Sequence, residues 1–320
     1  MAGGSAAPAA EVPDDDFIDD GIDVAAEGEP LAPLGPRPRP NGEMYRPRAI
    51  GGVEDLAFLR DARDHREHVI LYGPPGTGKS ALPEAAFFGD AVLNEGADAL
   101  IGAAKYRHLG FETIVCDAET TSADFFGSFV QDPGTGLWRW VDGPLTRAVR
   151  QKIPLFVDEI LLAPPSTLAG TLYPLMDGRD VLRVTINPDL PWIPVTDGFF
   201  IVGAGNPDVP GADFSDALRS RFVHHIEVST DWDLAVTLGV DERVAGVAEE
   251  LDTMRRTHAL SWSPQLRDLL TYQATAARRG TAFALNGLLG KAPFEDHALI
   301  QEKLAGLGEA APLALGKGMP

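Results

Sequence analysis

Cysteine is almost missing from this 320-residue chain, which has Cys116 and no other. A single cysteine excludes an internal disulfide framework and is typical of proteins from a reducing cytosol. Long apolar runs are missing too. None approaches the roughly 18 residues of a transmembrane helix, and the acidic N-terminus has no signal-peptide core. We therefore expect a cytoplasmic protein that does not have a membrane as its partner.

Positive charge is scarce as well. The chain has 27 Lys and Arg against 47 Asp and Glu, which gives a net charge of −20. Non-specific nucleic-acid binding requires a basic surface. The charge balance therefore argues against nucleic acid as a partner, although it is compatible with a local basic channel. Apolar residues make up 44% of the chain, which is ample for a packed core.

The most informative stretch that is present is a glycine-rich loop, which reads Gly73-Pro74-Pro75-Gly76-Thr77-Gly78-Lys79-Ser80. It fits the pattern G-x-x-x-x-G-K-[ST] of phosphate-binding loops. The apolar run His68–Tyr72 predicts a strand before it, and Ala81–Phe88 predicts a helix after it. Glycines let several backbone N–H groups turn toward one phosphate, and the helix N-terminus at Ala81 adds its own. The loop therefore predicts binding of ATP or GTP.

A second site is expected beside the loop. Lys79 would reach the β- and γ-phosphates, and the Ser80 hydroxyl would hold Mg²⁺. The apolar run Pro154–Val157 ends in Asp158 and Glu159. Asp158 is expected to join the Mg²⁺ shell and Glu159 to polarise the attacking water. Acidic residues at a strand end are common, so it is the pairing with the loop that makes this signal strong.

Two more stretches could complete a catalytic site. A predicted buried strand leads to Asn206, whose amide could bond the attacking water or the γ-phosphate. Asparagine before proline is also an ordinary turn former. Arg219 and Arg221 precede the last predicted strand, and an arginine near a neighbour's γ-phosphate can stabilise transition-state charge. The alternative for this pair is a surface salt bridge.

The apolar pattern predicts an α/β fold with a five-stranded parallel sheet covered by helices on both faces. The predicted strands are His68–Tyr72, Glu112–Cys116, Pro154–Val157, Phe199–Ala204 and Val223–Val228. The expected organisation is a disordered acidic and proline-rich tail (residues 1–45), an αβα nucleotide-binding domain (46–228), an all-α domain (229–308) and a loose end (309–320). Within the tail, Asp14–Val24 is either a solvated acidic stretch or a docking motif.

Three helices are predicted in the C-terminal region. Asp241 is expected to cap a helix that runs to Arg256, and Ser263-Pro264 is expected to begin a second helix. A third helix is predicted over Phe294–Leu307.

The loop, Asp158-Glu159, Asn206 and Arg219-Ser220-Arg221-Phe222, in this order and spacing, resemble a AAA+ ATPase. That class is a P-loop NTPase whose αβα sandwich is followed by a small helical lid. The chain is most similar to the MoxR and dynein-like branch, which includes NorQ- and CbbQ-type activators. The stretches that carry this closer resemblance are Glu119–Ser128, Trp138–Leu145 and Ile160–Pro165. The resemblance covers roughly residues 45–270.

The resemblance implies a ring of identical subunits, usually a hexamer, with ATP rather than GTP between them. It implies that Asn206 is the sensor-1 residue. It also implies that Arg221, or as second choice Arg219, acts on the ATP of the neighbouring subunit. The sensor-2 arginine of this branch directly follows Ser-Pro, but Gln265 stands there in this chain. The nearest arginine is Arg267, which becomes the candidate for contact with the nucleotide.

The leading hypothesis is an Mg²⁺-dependent ATPase whose ring remodels a protein client. The resemblance implies that two hairpins, around Gly134–Trp140 and around Asp177–Thr185, contact that client. It suggests as client a protein with a von Willebrand factor A domain or a metalloenzyme under maturation. Two alternatives stay open: a nucleotide-gated scaffold with little turnover, and a nucleic-acid motor similar to McrB-type translocases. ATP turnover tests the first alternative, and salt-sensitive DNA stimulation tests the second.

Overall fold

The computed structural model describes residues 31–90 and 110–313, so the motif Asp14–Val24 lies outside the described residues. The strands in these ranges are β1 (Arg37–Pro38), β2 (Met44–Tyr45), β3 (Ala49–Ile50), β4 (Val53–Glu54), β5 (Val69–Tyr72), β6 (Glu112–Val115), β7 (Gly127–Gln131), β8 (Trp138–Asp142), β9 (Leu155–Asp158), β10 (Val181–Leu182), β11 (Ile193–Pro194), β12 (Ile201–Gly205) and β13 (His224–Glu227). The helices are α1 (Asp55–Asp64), α2 (Ala81–Phe87), α3 (Ser122–Phe126), α4 (Pro144–Gln151), α5 (Pro165–Thr171), α6 (Tyr173–Met176), α7 (Asp216–Arg219), α8 (Trp232–Thr237), α9 (Glu242–Arg256), α10 (Leu266–Arg279), α11 (Thr281–Leu289) and α12 (His297–Leu304).

The centre of the fold is a five-stranded sheet in the order β13-β5-β12-β9-β6. Every neighbouring pair is parallel, with registers such as Val202 opposite Val69 and Ile201 opposite Leu155. The five predicted strands are thus confirmed to within two residues at each end. Parallel strands all end at the same edge, so the sheet brings the residues after β5, β9 and β12 together.

Helices cover both faces of the sheet, as the near-continuous apolar runs predicted. Ile70 belongs to the buried cluster that includes α3, α4 and α5, whereas its neighbours Val69 and Leu71 belong to the cluster formed with α1 and α2. This alternation follows from the period of two along a strand. Cys116 is buried in the first cluster, and burial raises the pKa of its thiol to about 12, in agreement with a packing role.

The C-terminal region has a buried cluster of its own, which α8 to α12 build between residues 235 and 310. The predicted cap of α9 is confirmed, because the Asp241 carboxylate accepts a hydrogen bond from the Arg243 N–H at 2.9 Å. The predicted third helix is divided: a 3₁₀ turn over Phe294–Asp296 precedes α12, which ends at Leu304. The five-stranded sandwich followed by a helical lid region is the predicted P-loop NTPase architecture.

The expected disorder up to residue 45 is wrong for the last part of that segment. Strands β1 and β2 pair antiparallel, with Arg37 opposite Tyr45. The Arg39 guanidinium forms an ion pair with Glu84 of α2 at 2.7 Å, and Tyr45 is buried. Composition alone predicted a solvated tail, but these long-range contacts attach the segment to the sandwich.

The predicted start of the second C-terminal helix is also wrong. Helix α10 begins at Leu266, and Gln265 rather than Ser263 is the N-cap, in a capping box with Asp268. The Ser263 hydroxyl donates instead to Asp252 at 2.8 Å. The Ser263 hydroxyl, which local capping rules assign to the helix N-terminus, therefore serves instead as a hydrogen-bond donor to the buried Asp252 carboxylate.

Two hairpins leave the sandwich, as the resemblance implied. Strands β7 and β8 pair antiparallel between α3 and α4 and form the first hairpin. The second extends beyond the predicted Asp177–Thr185, because β10 pairs with β11 across a loop that covers residues 183–192. Among the helices of the described ranges, none has the length and apolarity to cross a membrane.

Candidate nucleotide site

The glycine-rich loop leaves the sheet edge at the end of β5 and leads directly into α2. Gly73, Gly76 and Gly78 have φ values of 141°, 84° and 98°, in the region that side chains disfavour. A Cβ on Gly73 would lie 2.5 Å from the Val228 carbonyl oxygen. The loop can therefore curl tightly only with glycine at these positions, as a loop whose N–H groups turn toward one phosphate requires.

Lys79 lies inside this loop and is 8% exposed. Its ammonium group donates to the carbonyl oxygens of Gly73 and Pro74, both at 2.7 Å. Burial lowers the pKa of Lys79, and the carboxylates of Glu159 and Asp158 oppose that change. The ammonium is thus held at the opening of the loop, within the field of the acidic pair.

The carboxylate of Asp158 meets the loop across the sheet edge. Ser80, the residue before α2, donates its hydroxyl hydrogen to Asp158 Oδ2 at 3.2 Å. Asp158 is the last residue of β9, which is separated from β5 only by β12. A hydroxyl and a carboxylate side by side are oxygen ligands that suit Mg²⁺, which keeps several waters and shares the phosphates of its nucleotide. The donor set therefore fits the ion.

Glu159 begins the 3₁₀ turn after β9 in a left-handed conformation, with φ at 52°. A non-glycine residue in this region is uncommon and costs about 1–3 kcal/mol. Burial and the neighbouring Asp158 charge raise the pKa of Glu159, while Lys79 lowers it. A carboxylate in this environment holds a proton more strongly than an exposed glutamate, as a general base requires.

Asn206 directly follows β12 and is 8% exposed. Its side-chain oxygen accepts a hydrogen bond from the Asp208 N–H at 3.1 Å. This is the turn-forming contact that asparagine before proline predicts. The sheet places Asn206 on the same edge as the loop and the acidic pair, and its amide nitrogen is left to act as a donor there.

Arg267 approaches the loop from the C-terminal helical region. Its backbone N–H donates to the Gly76 carbonyl at 3.1 Å, and a Cβ on Gly76 would lie 3.1 Å from the Arg267 Cβ. The charge of Arg267 contributes to the lowered pKa of Lys79. Gln265, in contrast, is buried and donates to Asp252 at 3.0 Å. Of these two residues, the structure brings Arg267 to the loop and leaves Gln265 in a structural role.

The contacts of Arg219 and Arg221 are with residues outside the loop. The Arg221 guanidinium lies 4.0 Å from the centre of the Tyr173 ring and forms an ion pair with Asp177 at 2.9 Å. Arg219 lies 4.3 Å from the ring centre of Phe214 and donates to its carbonyl oxygen. Among the described residues, no hydrogen bond or ion pair connects either arginine with the loop of the same chain.

Sequence reasoning missed a further group beside the loop. The Arg48 guanidinium donates to the carbonyl oxygens of Ser229 at 3.1 Å and Thr77 at 3.4 Å. Behind it, the buried Asp55 carboxylate accepts from the Tyr45 hydroxyl at 2.6 Å. No motif identifies Arg48, because its partners are backbone oxygens more than 25 residues away. The sequence signal that could have pointed to this group is Asp55, an acidic residue on an apolar helix face.

Residues 99–222 match the family described as "AAA domain (dynein-related subfamily)". This stretch of the chain is therefore similar to a AAA domain. Asp158, Glu159 and Asn206 fall within the matched range, as do both arginines, while the loop precedes it. The resemblance to the dynein-like AAA+ branch is confirmed by this match.

Curated relatives agree with this assignment. Protein NorQ of Paracoccus denitrificans is 28% identical over 185 residues, which cover 57% of this chain and 60% of the relative. The denitrification regulatory protein NirQ of Stutzerimonas stutzeri is 29% identical over 186 residues, which cover 58% of each chain. The matched part of this chain thus spans about three fifths of the length of these relatives. The predicted similarity to NorQ-type proteins is confirmed.

A solved structure from Cytophaga hutchinsonii, provisionally named an ATPase, is also similar to this chain. It is 14% identical, covers 78% of this chain and 87% of its own, and superposes with a TM-score of 0.42.

Proposed function

We propose that this protein is an Mg²⁺-dependent ATPase that hydrolyses ATP between the subunits of a ring and uses the cycle to remodel a protein client. The observation that carries the proposal is the convergence at one sheet edge of a glycine cradle, a buried lysine and an acidic pair. The Ser80 hydroxyl oxygen lies 3.2 Å from Asp158 Oδ2, and the charge of Glu159 opposes the lowering of the Lys79 pKa by burial. Such a set matches the charge and the size of a nucleotide's phosphates.

Binding would use the backbone N–H groups of the loop and of the start of α2 at Ala81, with Lys79 on the β- and γ-phosphates. Ser80 and Asp158 would hold Mg²⁺, which neutralises phosphate charge when it is bound. Arg267 would add a third cation from the lid side. Its backbone hydrogen bond to Gly76 supports that role, because it keeps the side chain close to the phosphates.

In the hydrolytic step, water would bond to the γ-phosphorus as the bond to the β–γ bridging oxygen breaks, giving ADP and inorganic phosphate. Glu159 would accept the proton of that water and release it to solvent. Asn206 would donate from its amide to the water or to the γ-phosphate. The raised pKa of Glu159 supports its role, since a general base works best with a pKa near the operating pH.

Completion of the site would require a neighbouring copy of the chain. Arg221, with Arg219 as second choice, would reach the γ-phosphate bound by that neighbour and stabilise charge in the transition state. The absence of a bond between either arginine and the loop of its own chain, within the part that the structure describes, supports a role in trans. AAA+ proteins typically assemble in rings, usually hexamers, and we propose the same for this chain.

The client would meet the exposed apolar side chains of the hairpins. Trp138 and Leu137 at the tip of the first hairpin are 66% and 71% exposed, and Trp192 of the second is 63% exposed. Exposed apolar side chains on a hairpin offer a surface on which a protein client could pack. One relative is named a denitrification regulatory protein. The proposed client remains a protein with a von Willebrand factor A domain or a metalloenzyme under maturation.

The test is phosphate release from ATP and Mg²⁺ by the full chain and by three variants. Glu159→Gln should bind ATP but lose at least about 10²-fold in turnover, as general-base removal predicts. Lys79→Ala should bind ATP poorly. Glu295→Gln, at an exposed lid position, is the matched control and should behave as the wild type.

Three outcomes would contradict parts of the proposal. ATP binding without turnover in the wild type would favour the nucleotide-gated scaffold. DNA-stimulated turnover that falls steeply with salt would favour the nucleic-acid motor. Turnover that Glu159→Gln leaves unchanged would remove Glu159 from the mechanism.

A further inference from the structure

Arg48 lies where the phosphate loop, the sheet and the helical region meet. Its side chain is 17% exposed. One guanidinium nitrogen donates to both the Thr77 and the Ser229 carbonyl oxygens, and the other lies 3.8 Å from the position that a Cβ on Gly78 would occupy. Thr77 belongs to the loop, whereas Ser229 follows β13 and begins the connection to α8. One side chain thus contacts two segments that are about 150 residues apart in the chain.

The connection on the Ser229 side continues to the lid. The next residue, Thr230, is buried, and its hydroxyl donates to the Gln265 side-chain oxygen at 2.8 Å. The same hydroxyl oxygen accepts the Leu266 N–H at 3.2 Å. Arg267, one residue further, donates its backbone N–H to Gly76. The contacts therefore form a closed circuit from the loop through Arg48 and the connector to α10, and back to the loop.

The orientation of Arg48 is set from behind by a buried acid. Its Nε lies 3.9 Å from Asp55 Oδ2, and its carbonyl oxygen accepts the Asp55 N–H at 2.8 Å. Tyr45 donates its hydroxyl to the same carboxylate oxygen. A buried carboxylate with these partners restricts the rotamers of the long arginine side chain, so less conformational entropy is lost when both carbonyl oxygens are bonded.

We propose that Arg48 is a positioning residue of the nucleotide site: it ties Thr77 to Ser229 and holds the phosphate loop and the lid connector in the arrangement that binds nucleotide. This proposal rests on the proposed function, since it assumes that the loop binds a nucleotide. It assigns Arg48 no contact with the reacting atoms. Lysine at this position would keep the positive charge. It would lack the planar guanidinium, which donates to both carbonyl oxygens while the Arg48 Nε faces Asp55.

The experiment compares Arg48→Ala and Arg48→Lys with wild type, and with Arg46→Ala as matched control, because Arg46 is an exposed arginine two residues away. The first readout is titration with a fluorescent ADP analogue and Mg²⁺. Arg48→Ala should weaken ADP binding about tenfold, the effect of losing hydrogen bonds from a charged donor. Arg48→Lys should recover only part of that loss, and Arg46→Ala should stay within about twofold.

The second readout is amide hydrogen exchange without nucleotide. Both Arg48 variants should exchange faster at residues 76–80 and 229–235 and at the wild-type rate in the centre of the sheet. A role confined to overall stability would instead raise exchange everywhere. Arg48→Lys provides the measurement if the alanine variant does not fold.

Failure of this proposal differs from failure of the proposed function. Wild-type ADP binding by Arg48→Ala would overturn the positioning role, as would full recovery of binding and exchange by Arg48→Lys, since charge alone would then suffice. If the wild type binds neither ADP nor ATP, the proposed function is wrong. In that case hydrogen exchange still tests whether Arg48 links Thr77 to Ser229. Faster exchange at residues 76–80 and 229–235 in the Arg48 variants supports the link, and unchanged exchange overturns it.

Discussion

The phosphate loop and the arginine pair differ in how the chain holds them. Lys79 and Ser80 bond to groups of the same sheet edge, and Arg267 reaches the loop through a backbone hydrogen bond. Arg221 and Arg219 instead lie over the rings of Tyr173 and Phe214. The groups of the loop are thus held at one sheet edge, whereas the two arginines are held by contacts outside the loop.

The difference indicates where an assembly is needed. A binding site made of contacts within one chain should retain affinity in a single subunit. An arginine that acts on the nucleotide of a neighbouring copy, as we propose for Arg221, requires a second subunit. We therefore expect substitutions at the two regions to separate affinity from turnover.

The largest effect is expected for Arg221→Ala. Turnover should fall by about 10³-fold or more, the effect of losing an arginine finger, while ADP affinity stays within about twofold. Arg219→Ala tests the second choice in the same assay. A turnover loss for Arg219→Ala alone would exchange the roles of the two residues.

Mixed rings sharpen the same point. Lys79→Ala subunits cannot bind ATP well but carry an intact Arg221, and Arg221→Ala subunits have the opposite defect. If Arg221 acts in trans, a mixture of the two inactive variants should recover part of the wild-type turnover. A mixture as inactive as its components would argue that Arg221 acts within its own chain.

Gly76→Ala should have the next largest effect, on binding. The new Cβ would lie 3.1 Å from the Arg267 Cβ, in a backbone conformation with φ at 84°. We expect ADP binding to weaken by about tenfold or more, because strain of about 1–3 kcal/mol falls on the loop itself.

Gly246→Ala is the matched control for that substitution. Gly246 lies within α9, and a Cβ there would meet nothing within 4 Å. Alanine in a helix interior should raise the free energy of unfolding by up to about 1 kcal/mol and leave ADP binding unchanged. Equal losses of binding in both variants would show that the loop and the lid do not meet in solution as described.

The smallest expected effect concerns the strand that carries the loop. His68 precedes β5, is buried, and accepts the Ile201 N–H at Nδ1. Burial lowers the pKa of His68 to about 4 from the ordinary 6.5. As the pH falls below 6.5, the unfolded chain therefore binds a proton that the folded chain does not, and stability decreases until the pH reaches the folded pKa.

Denaturant unfolding measures this pH dependence. From about pH 7.5 to about pH 5.3, His68 should account for about 1–2 kcal/mol of the lost unfolding free energy. His68→Gln should remove that share of the change in unfolding free energy with pH. His258→Gln, at an exposed position, should leave the change as it is in the wild type. Equal slopes in wild type and His68→Gln would mean that His68 is not buried in its neutral form.

Much of the fold was predictable from the sequence. The five strands, α2 and the cap of α9 follow from local patterns, because apolar periodicity and capping residues act over a few positions. The hairpin β1–β2 and the start of α10 were not. Arg39 pairs with Glu84 and Ser263 bonds Asp252, and both contacts depend on residues distant in the chain.

The same division holds for the site. The motif predicts the loop, Lys79, Ser80 and the acidic pair, since each must follow a strand at a shared edge. Arg267 was the candidate for contact with the nucleotide because it is the arginine nearest to Ser-Pro, but spacing could not predict its backbone hydrogen bond to Gly76. Arg48 escaped prediction altogether, since its bonds go to carbonyl oxygens that every residue possesses.

The sequence by itself determined the sheet, its phosphate edge and the residue types that lie there, because strand patterns and glycine spacing are local properties. Only the tertiary structure decided which side chains contact the loop, which also contact the connection to the helical region, and which are held by contacts outside the loop. Those choices depend on burial and on distances between segments far apart in the chain, because burying a charge costs free energy unless other groups pair with it.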